Sequence, residues 1–289
     1  MTALRGLMTG LVDYAGLFPP AGLEMPEAVR LYRAYLTGKD RWALGRFVVP
    51  AARLAEFSAA FNEVCCGERE RVWGLSVLGS GDAVQDAAAL AGLARGAVRV
   101  DGVELKTASV GDAEQVLAEL GSFVTYVEFA PRDAEAVLPV LARLGARAKI
   151  RMGGVTAEAF PSVETVAEFL AACARARVAF KATAGLHHAV RGAYRLTYEA
   201  ESAMATMHGF VNVFLAAVLA WRGEDAGALR ATLEIEDASA FVFGKREVRW
   251  LGFAAKTAEI ETVRREFAIG FGSCSFTEPL AEVKAAGWV

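Results

Sequence analysis

Short runs dense in apolar residues alternate along the chain with longer stretches in which apolar residues return every third or fourth position. The first pattern predicts buried strands and the second amphipathic helices. Residues 26–37 (PEAVRLYRAYLT) predict a helix with Pro26 in its first turn. RFVVP (46–50) predicts a strand followed by a helix over AARLAEFSAAFNEVC. VWGLSVLG (72–79) predicts the next strand, followed by DAVQDAAALAGLA with Asp82 as N-cap. DGVELKT (101–107) precedes the helix DAEQVLAEL, and FVTYVEFA (123–130) precedes DAEAVLPVLARLG, where Gly145 suits a C-cap. RAKIRMGG (147–154) leads into SVETVAEFLAACARA, and VAFKATAG (178–185) is the sixth strand.

Six strand-then-helix units in succession, with no composition break, argue for parallel strands joined by right-handed crossovers. The expected fold is an α/β (β/α)8 TIM-type barrel forming one domain over residues 1–289, with an open doubly wound sheet as the competing architecture. Closure needs two more strands. GFVNVF (209–214) is taken as the seventh and FAIGFGS (267–273) as the eighth. Residues 1–45 read as an N-terminal loop and extra helix, and 224–256 as an insertion containing a hairpin around Gly244.

Four of these strands carry charges at alternate positions. Glu104 and Lys106 alternate with Val103 and Leu105, and Tyr126 and Glu128 with Val127 and Phe129. Lys149 and Arg151 alternate with Ile150 and Met152, and Lys181 and Thr183 with Phe180 and Ala182. Alternate side chains share a face, so each strand has an apolar face for the surrounding helices and a polar face for the barrel interior. The charges lie near the strands' C-terminal ends, where barrel enzymes place catalytic groups. A purely structural network of buried ions is costly, because each ion taken from water must be compensated.

Residues 98–186 resemble the class I aldolases of the barrel type, deoxyribose-phosphate aldolase in particular. That family carries a lysine on its fifth strand, then a sixth-strand K-T-S-T-G motif whose lysine forms a Schiff base, and a second lysine on its seventh strand. Here A-K-I-R-M-G-G precedes F-K-A-T-A-G, which matches as K-x-T-x-G, and D-G-V-E-L-K is similar to the strand bearing the acidic proton-transfer residue. The resemblance implies Lys181 as the Schiff-base lysine, with Lys149 and Glu104 beside it. GFVNVF, as the seventh strand, offers Asn212 where the family has its second lysine. Independently of the family, a lysine attacks a carbonyl only as the neutral amine, and Lys149 and Arg151 on a neighbouring strand would lower the Lys181 pKa. Glu104 or Glu128 would serve as general acid or base.

The same cluster without a covalent step reads as an anion site, with Lys106, Lys149 and Arg151 clamping a carboxylate or phosphate. The histidines, His187, His188 and His208, fall close together. His187 and His188 follow the sixth strand and are candidate substrate contacts, with Thr183 before them. Combined with Glu104, Glu128 or Asp13 they offer ligands for a divalent metal, although no H-x-H or H-E-x-x-H spacing is present. FAIGFGSCSFTEP (267–279) ends a strand in a glycine and serine loop, with Thr277 as N-cap of the next helix. Gly272 and Ser273 there suit a phosphate or carboxylate. DYAGLFPPAG (13–22) is a rigid loop that either covers the mouth, with Asp13 contributing a carboxylate, or plugs the base.

Composition narrows the partners. With 31 basic and 34 acidic residues interspersed and a formal net charge of −3, neither nucleic acid nor an anionic membrane is an expected partner. The longest apolar run, 209–221, is too short to span a bilayer, and no signal peptide is read at the N-terminus. The cysteines, Cys65, Cys66, Cys173 and Cys274, form neither a C-x-x-C pair nor a zinc spacing, which fits a cytoplasmic protein. The expectation is a cytoplasmic, homo-oligomeric lyase of aldolase type without a cofactor, acting on a small anionic, possibly phosphorylated, carbonyl compound. The alternatives are a metal-dependent lyase, isomerase or hydrolase, and a non-catalytic anion-binding protein.

Overall fold

The computed structural model describes residues 2–65, 72–93, 97–107, 109–121 and 123–289. Cys66 and Ala94, each read into the pattern above, lie outside them. Eight parallel strands close into a barrel. They are β1 (Val12–Tyr14), β2 (Leu44–Pro50), β3 (Trp73–Leu78), β4 (Val98–Lys106), β5 (Thr125–Glu128), β6 (Arg147–Arg151), β7 (Phe180–Thr183) and β8 (Ala268–Ser273). The outer layer follows the expected alternation. Helix α1 (Ala3–Met8) precedes β1, and α2 (Met25–Thr37) links β1 to β2. The helices α3 (Leu54–Val64), α4 (Ala83–Ala91), α5 (Val110–Leu120), α6 (Ala134–Leu144) and α7 (Val163–Ala176) each follow their strand. Asp82 and Ser162 cap α4 and α7 by accepting from Gln85 and Thr165 N–H, and Gly145 ends α6 in the left-handed region.

Two expectations need correction. GFVNVF is no strand: it opens α8 (Phe210–Arg222), of which every residue from Phe210 to Ala220 is buried. A helix covered on all sides loses the polar stripe that marks its period, so its sequence looks like a buried strand. One side of α8 packs on the barrel, where Phe210 stacks on Phe271 and Phe214 on Phe180. The other faces α9 (Ala226–Leu233). The missing strand is β1, inside the segment read as a loop. Three residues are too few to show a period, yet Val12, Asp13 and Tyr14 are all buried and pair with β8, and Val12 and Tyr14 also pair with β2. The helix at 26–37 is therefore the first barrel crossover, and within residues 2–45 the short α1 precedes the repeat.

Asn212 holds α8 in place. Its amide donates to the Thr232 and Ile235 carbonyls at 2.9 and 2.8 Å, and its oxygen accepts from Arg191 N–H at 3.0 Å. Asn212→Leu removes all three bonds and leaves buried partners unsatisfied, so a loss of about 2–3 kcal/mol is expected from urea unfolding. An unchanged midpoint would show that α8 is held by packing alone.

The region between α8 and β8 holds the expected hairpin, Val242–Phe243 with Glu247–Trp250, extended by Phe253–Lys256 into a three-stranded antiparallel sheet, then α10 (Thr257–Glu266). Arg264 of α10 reaches back to the Leu7 and Thr9 carbonyls at 2.7 and 3.4 Å and to that of Ala268, and burial pushes its pKa down to about 9. A second hairpin, Gly192–Arg195 with Met204–Met207, follows β7. The chain ends in α11 (Thr277–Ala285), where Ser275, rather than Thr277, accepts the Glu278 N–H. Among the described residues no helix is long and apolar enough to cross a membrane.

Candidate active site

The barrel register turns the alternating charges inward and sets them side by side. Glu128 pairs with Lys149, Lys149 with Lys181, and Lys181 with Gly270, while Gly272 pairs with Asp13. In a parallel sheet register partners share a face, so β8 presents Gly270 and Gly272 inward and leaves space for long side chains from β7.

The result is an alternating chain of charges. Lys181 Nζ lies 2.6 Å from Asp13 Oδ2, ion-pairs with Glu104 Oε1 and donates to Ser76 Oγ at 3.1 Å. Lys149 Nζ lies 3.1 Å from Glu104 Oε2 and 3.2 Å from Glu128 Oε2. Arg151 Nε then meets Glu128 Oε1 at 3.1 Å. Ser76 Oγ also donates to Glu104 at 2.7 Å. The chain runs from fully buried Asp13 to Arg151, whose side chain is 52% exposed.

Asp13 is fixed from behind by the Arg46 N–H at 2.6 Å and the Arg46 guanidinium at 3.6 Å. Gly45 makes that approach possible, because a Cβ there would sit 2.1 Å from Asp13 Oδ1. Burial by itself disfavours the Lys181 ammonium, but Asp13 and Glu104 outweigh it and hold its pKa above the usual lysine value. Burial likewise disfavours the Glu104 carboxylate, and Lys181 and Lys149 outweigh it, leaving its pKa below the usual range. The expectation that Lys149 and Arg151 would lower the Lys181 pKa therefore fails: two carboxylates stand closer to Lys181 than the sequence could show.

Above the charges lies a cavity of about 280 Å3 at the C-terminal mouth. Glu104, Lys149, Arg151, Thr183, His187 and Gly272 border it; Lys181 does not. Ala15, Phe18 and Pro19 form part of its wall, so the DYAGLFPPA segment covers the mouth rather than plugging the base. His187 Nδ1 faces Ser273 Oγ at 3.3 Å and Cys274 Sγ at 3.7 Å, and burial, with His188 nearby, pushes its pKa down to about 4. Cys274 also borders the cavity, and burial raises its thiol pKa.

Other expected site residues fall elsewhere. Lys106 is exposed at the end of β4 and does not border the cavity. His188 is turned to α11, with Nδ1 2.5 Å from Glu282 and its ring stacked on Tyr194. His208 Nε2 lies 2.8 Å from the Pro161 carbonyl. Ser76 was missed, although its strand shows the signal: Trp73, Leu75 and Val77 are fully buried on the helix-facing side, and Ser76 alternates with them toward the interior.

Comparison with family models, curated proteins and solved structures finds no match. Among the described residues no group of three or more His, Cys, Asp or Glu side chains could hold a metal ion. The carboxylates that a metal would use, Glu104 and Glu128, already bind lysine ammonium groups.

Proposed function

We propose that the protein is a cytoplasmic lyase of aldolase type that binds a small carbonyl compound as a Schiff base, and that Lys149 is the lysine. The observation that carries this reading is that Lys149 borders the cavity while Lys181 does not. Counting β1 puts Lys149 on the sixth strand and Lys181 on the seventh, the strands that bear the Schiff-base and second lysines in the aldolases this chain resembles. The K-x-T-x-G match stays with Lys181, so motif and strand count favour different lysines. Access to the cavity favours Lys149.

The electrostatics suit such an intermediate. An ammonium and a carbonyl give an iminium and water: two ammonium protons leave in the water, and the positive charge stays on nitrogen. Glu104 and Glu128, which hold the Lys149 ammonium at 3.1 and 3.2 Å, would hold the iminium equally well. One of them would carry the proton that must leave nitrogen before attack. In a β-hydroxy carbonyl substrate the iminium would then accept the electrons of the breaking Cα–Cβ bond as the base removes the hydroxyl proton. Lys181, locked between Asp13 and Glu104, would supply fixed positive charge.

Borohydride trapping tests the assignment. Incubation with pyruvate, phenylpyruvate, acetaldehyde or propanal and borohydride should add the reduced adduct at Lys149, located by peptide mass mapping, and Lys149→Met should abolish it. An adduct at Lys181 would reverse the assignment. No adduct with a carbonyl compound that the enzyme turns over would exclude the mechanism.

A further inference from the structure

The ionic groups that run from Asp13 to Arg151 balance: Asp13, Glu104 and Glu128 supply three carboxylates, and Lys149, Lys181 and Arg151 three cations. Arg46, behind Asp13, also pairs with Asp101 at 3.7 Å. A Schiff base leaves that balance unchanged. A phosphorylated ligand would bring about two negative charges at neutral pH to a cavity where the solvent-facing cation is Arg151, already shared with Glu128.

Barrels commonly bind phosphate through loops after the seventh and eighth strands, and here several N–H groups of those loops are bonded within the chain. Glu282 of α11 reaches into the loop after β7, where Oε2 accepts the Ala189 N–H at 2.6 Å and Oε1 meets His188 at 2.5 Å. After β8, Ser275 N–H donates to Ser273 Oγ at 3.3 Å and Glu278 N–H to Ser275 Oγ at 3.2 Å. The Ala189, Ser275 and Glu278 N–H groups are thus taken by the chain's own carboxylate and hydroxyls. Apolar side chains also line the cavity: Phe18, Pro19, Val48, Leu78 and Val155.

We infer that the cavity selects an unphosphorylated α-oxo acid with an apolar side chain. The carbonyl meets Lys149, the single carboxylate lies on Arg151, two residues along the same strand face, and the side chain packs against Phe18, Val48 and Leu78. This deepens the Schiff-base reading of the same site and rests on it for the placement of the carbonyl.

Isothermal titration of the full chain with phenylpyruvate, pyruvate and glycolaldehyde phosphate tests the inference. Burying a phenyl ring should make phenylpyruvate bind at least about tenfold more tightly than pyruvate, and glycolaldehyde phosphate should bind more weakly than phenylpyruvate. Arg151→Met, at a half-exposed position, should keep the wild-type circular dichroism spectrum and weaken phenylpyruvate binding by about tenfold. Binding of glycolaldehyde phosphate as tight as that of phenylpyruvate would overturn the inference, as would no binding of phenylpyruvate or indifference to Arg151→Met. Borohydride added to the same samples separates the two readings. The expected affinity order without an adduct at Lys149 sinks the covalent step and leaves the ligand class standing. An adduct with the phosphorylated aldehyde alone does the reverse.

Discussion

Glu104→Leu is expected to lower the unfolding free energy by about 3–5 kcal/mol, measured by urea unfolding at neutral pH. It removes the carboxylate that two buried lysines share and leaves their charge less compensated inside the barrel. The pH dependence carries the same signature with a definite sign. The Glu104 pKa is depressed below its ordinary 4.5, so its contribution is fully present above that pH and is lost as pH falls through the folded-state value. The Lys181 pKa is raised above its ordinary 10.5, so its contribution is present below that pH and is lost as pH rises through the folded-state value. Wild-type melting temperature should therefore show a plateau across the neutral range and fall on both sides. The difference between wild type and Glu104→Gln should narrow on the acid side. A difference constant with pH would mean that Glu104 acts through packing alone.

Lys181→Met is expected to slow borohydride trapping at Lys149 by about tenfold or more at neutral pH. Both lysines bind the same carboxylate, one at each oxygen. Removing one cation leaves Glu104 wholly to Lys149, which tightens that ion pair and holds the amine back from the carbonyl. Trapping should slow while the adduct remains at Lys149. Loss of the adduct with the fold retained would make Lys181 the nucleophile. An unchanged rate would show that Lys181 only holds the barrel together.

Much of this site was legible before the fold was seen, because period-two alternation survives in strands with one apolar and one polar face. Glu104, Glu128, Lys149 and Lys181 all point inward as the pattern requires. Lys106 follows the same alternation but lies at the last residue of β4, where the chain leaves the barrel and the side chain reaches water. The seventh strand was misread because burial on every side erases the contrast on which periodicity depends, and α8 is so buried. The strand count shifts by one for a separate reason: β1 is too short to show a period, so Lys149 lies on the sixth strand and Lys181 on the seventh, while the K-x-T-x-G match stays with Lys181.

The sequence by itself determined the alternation of strand and helix and which residue types face the interior, since these follow from local spacing of apolar and charged positions. Only the tertiary structure decided which charges meet. Asp13 and Lys181 are 2.6 Å apart although most of the chain separates them, because β1 closes the barrel against β8, next to β7. Whether a lysine there is an accessible nucleophile or a locked counter-ion depends on those long-range neighbours. Strand register across the closure sets them, and no local pattern encodes it.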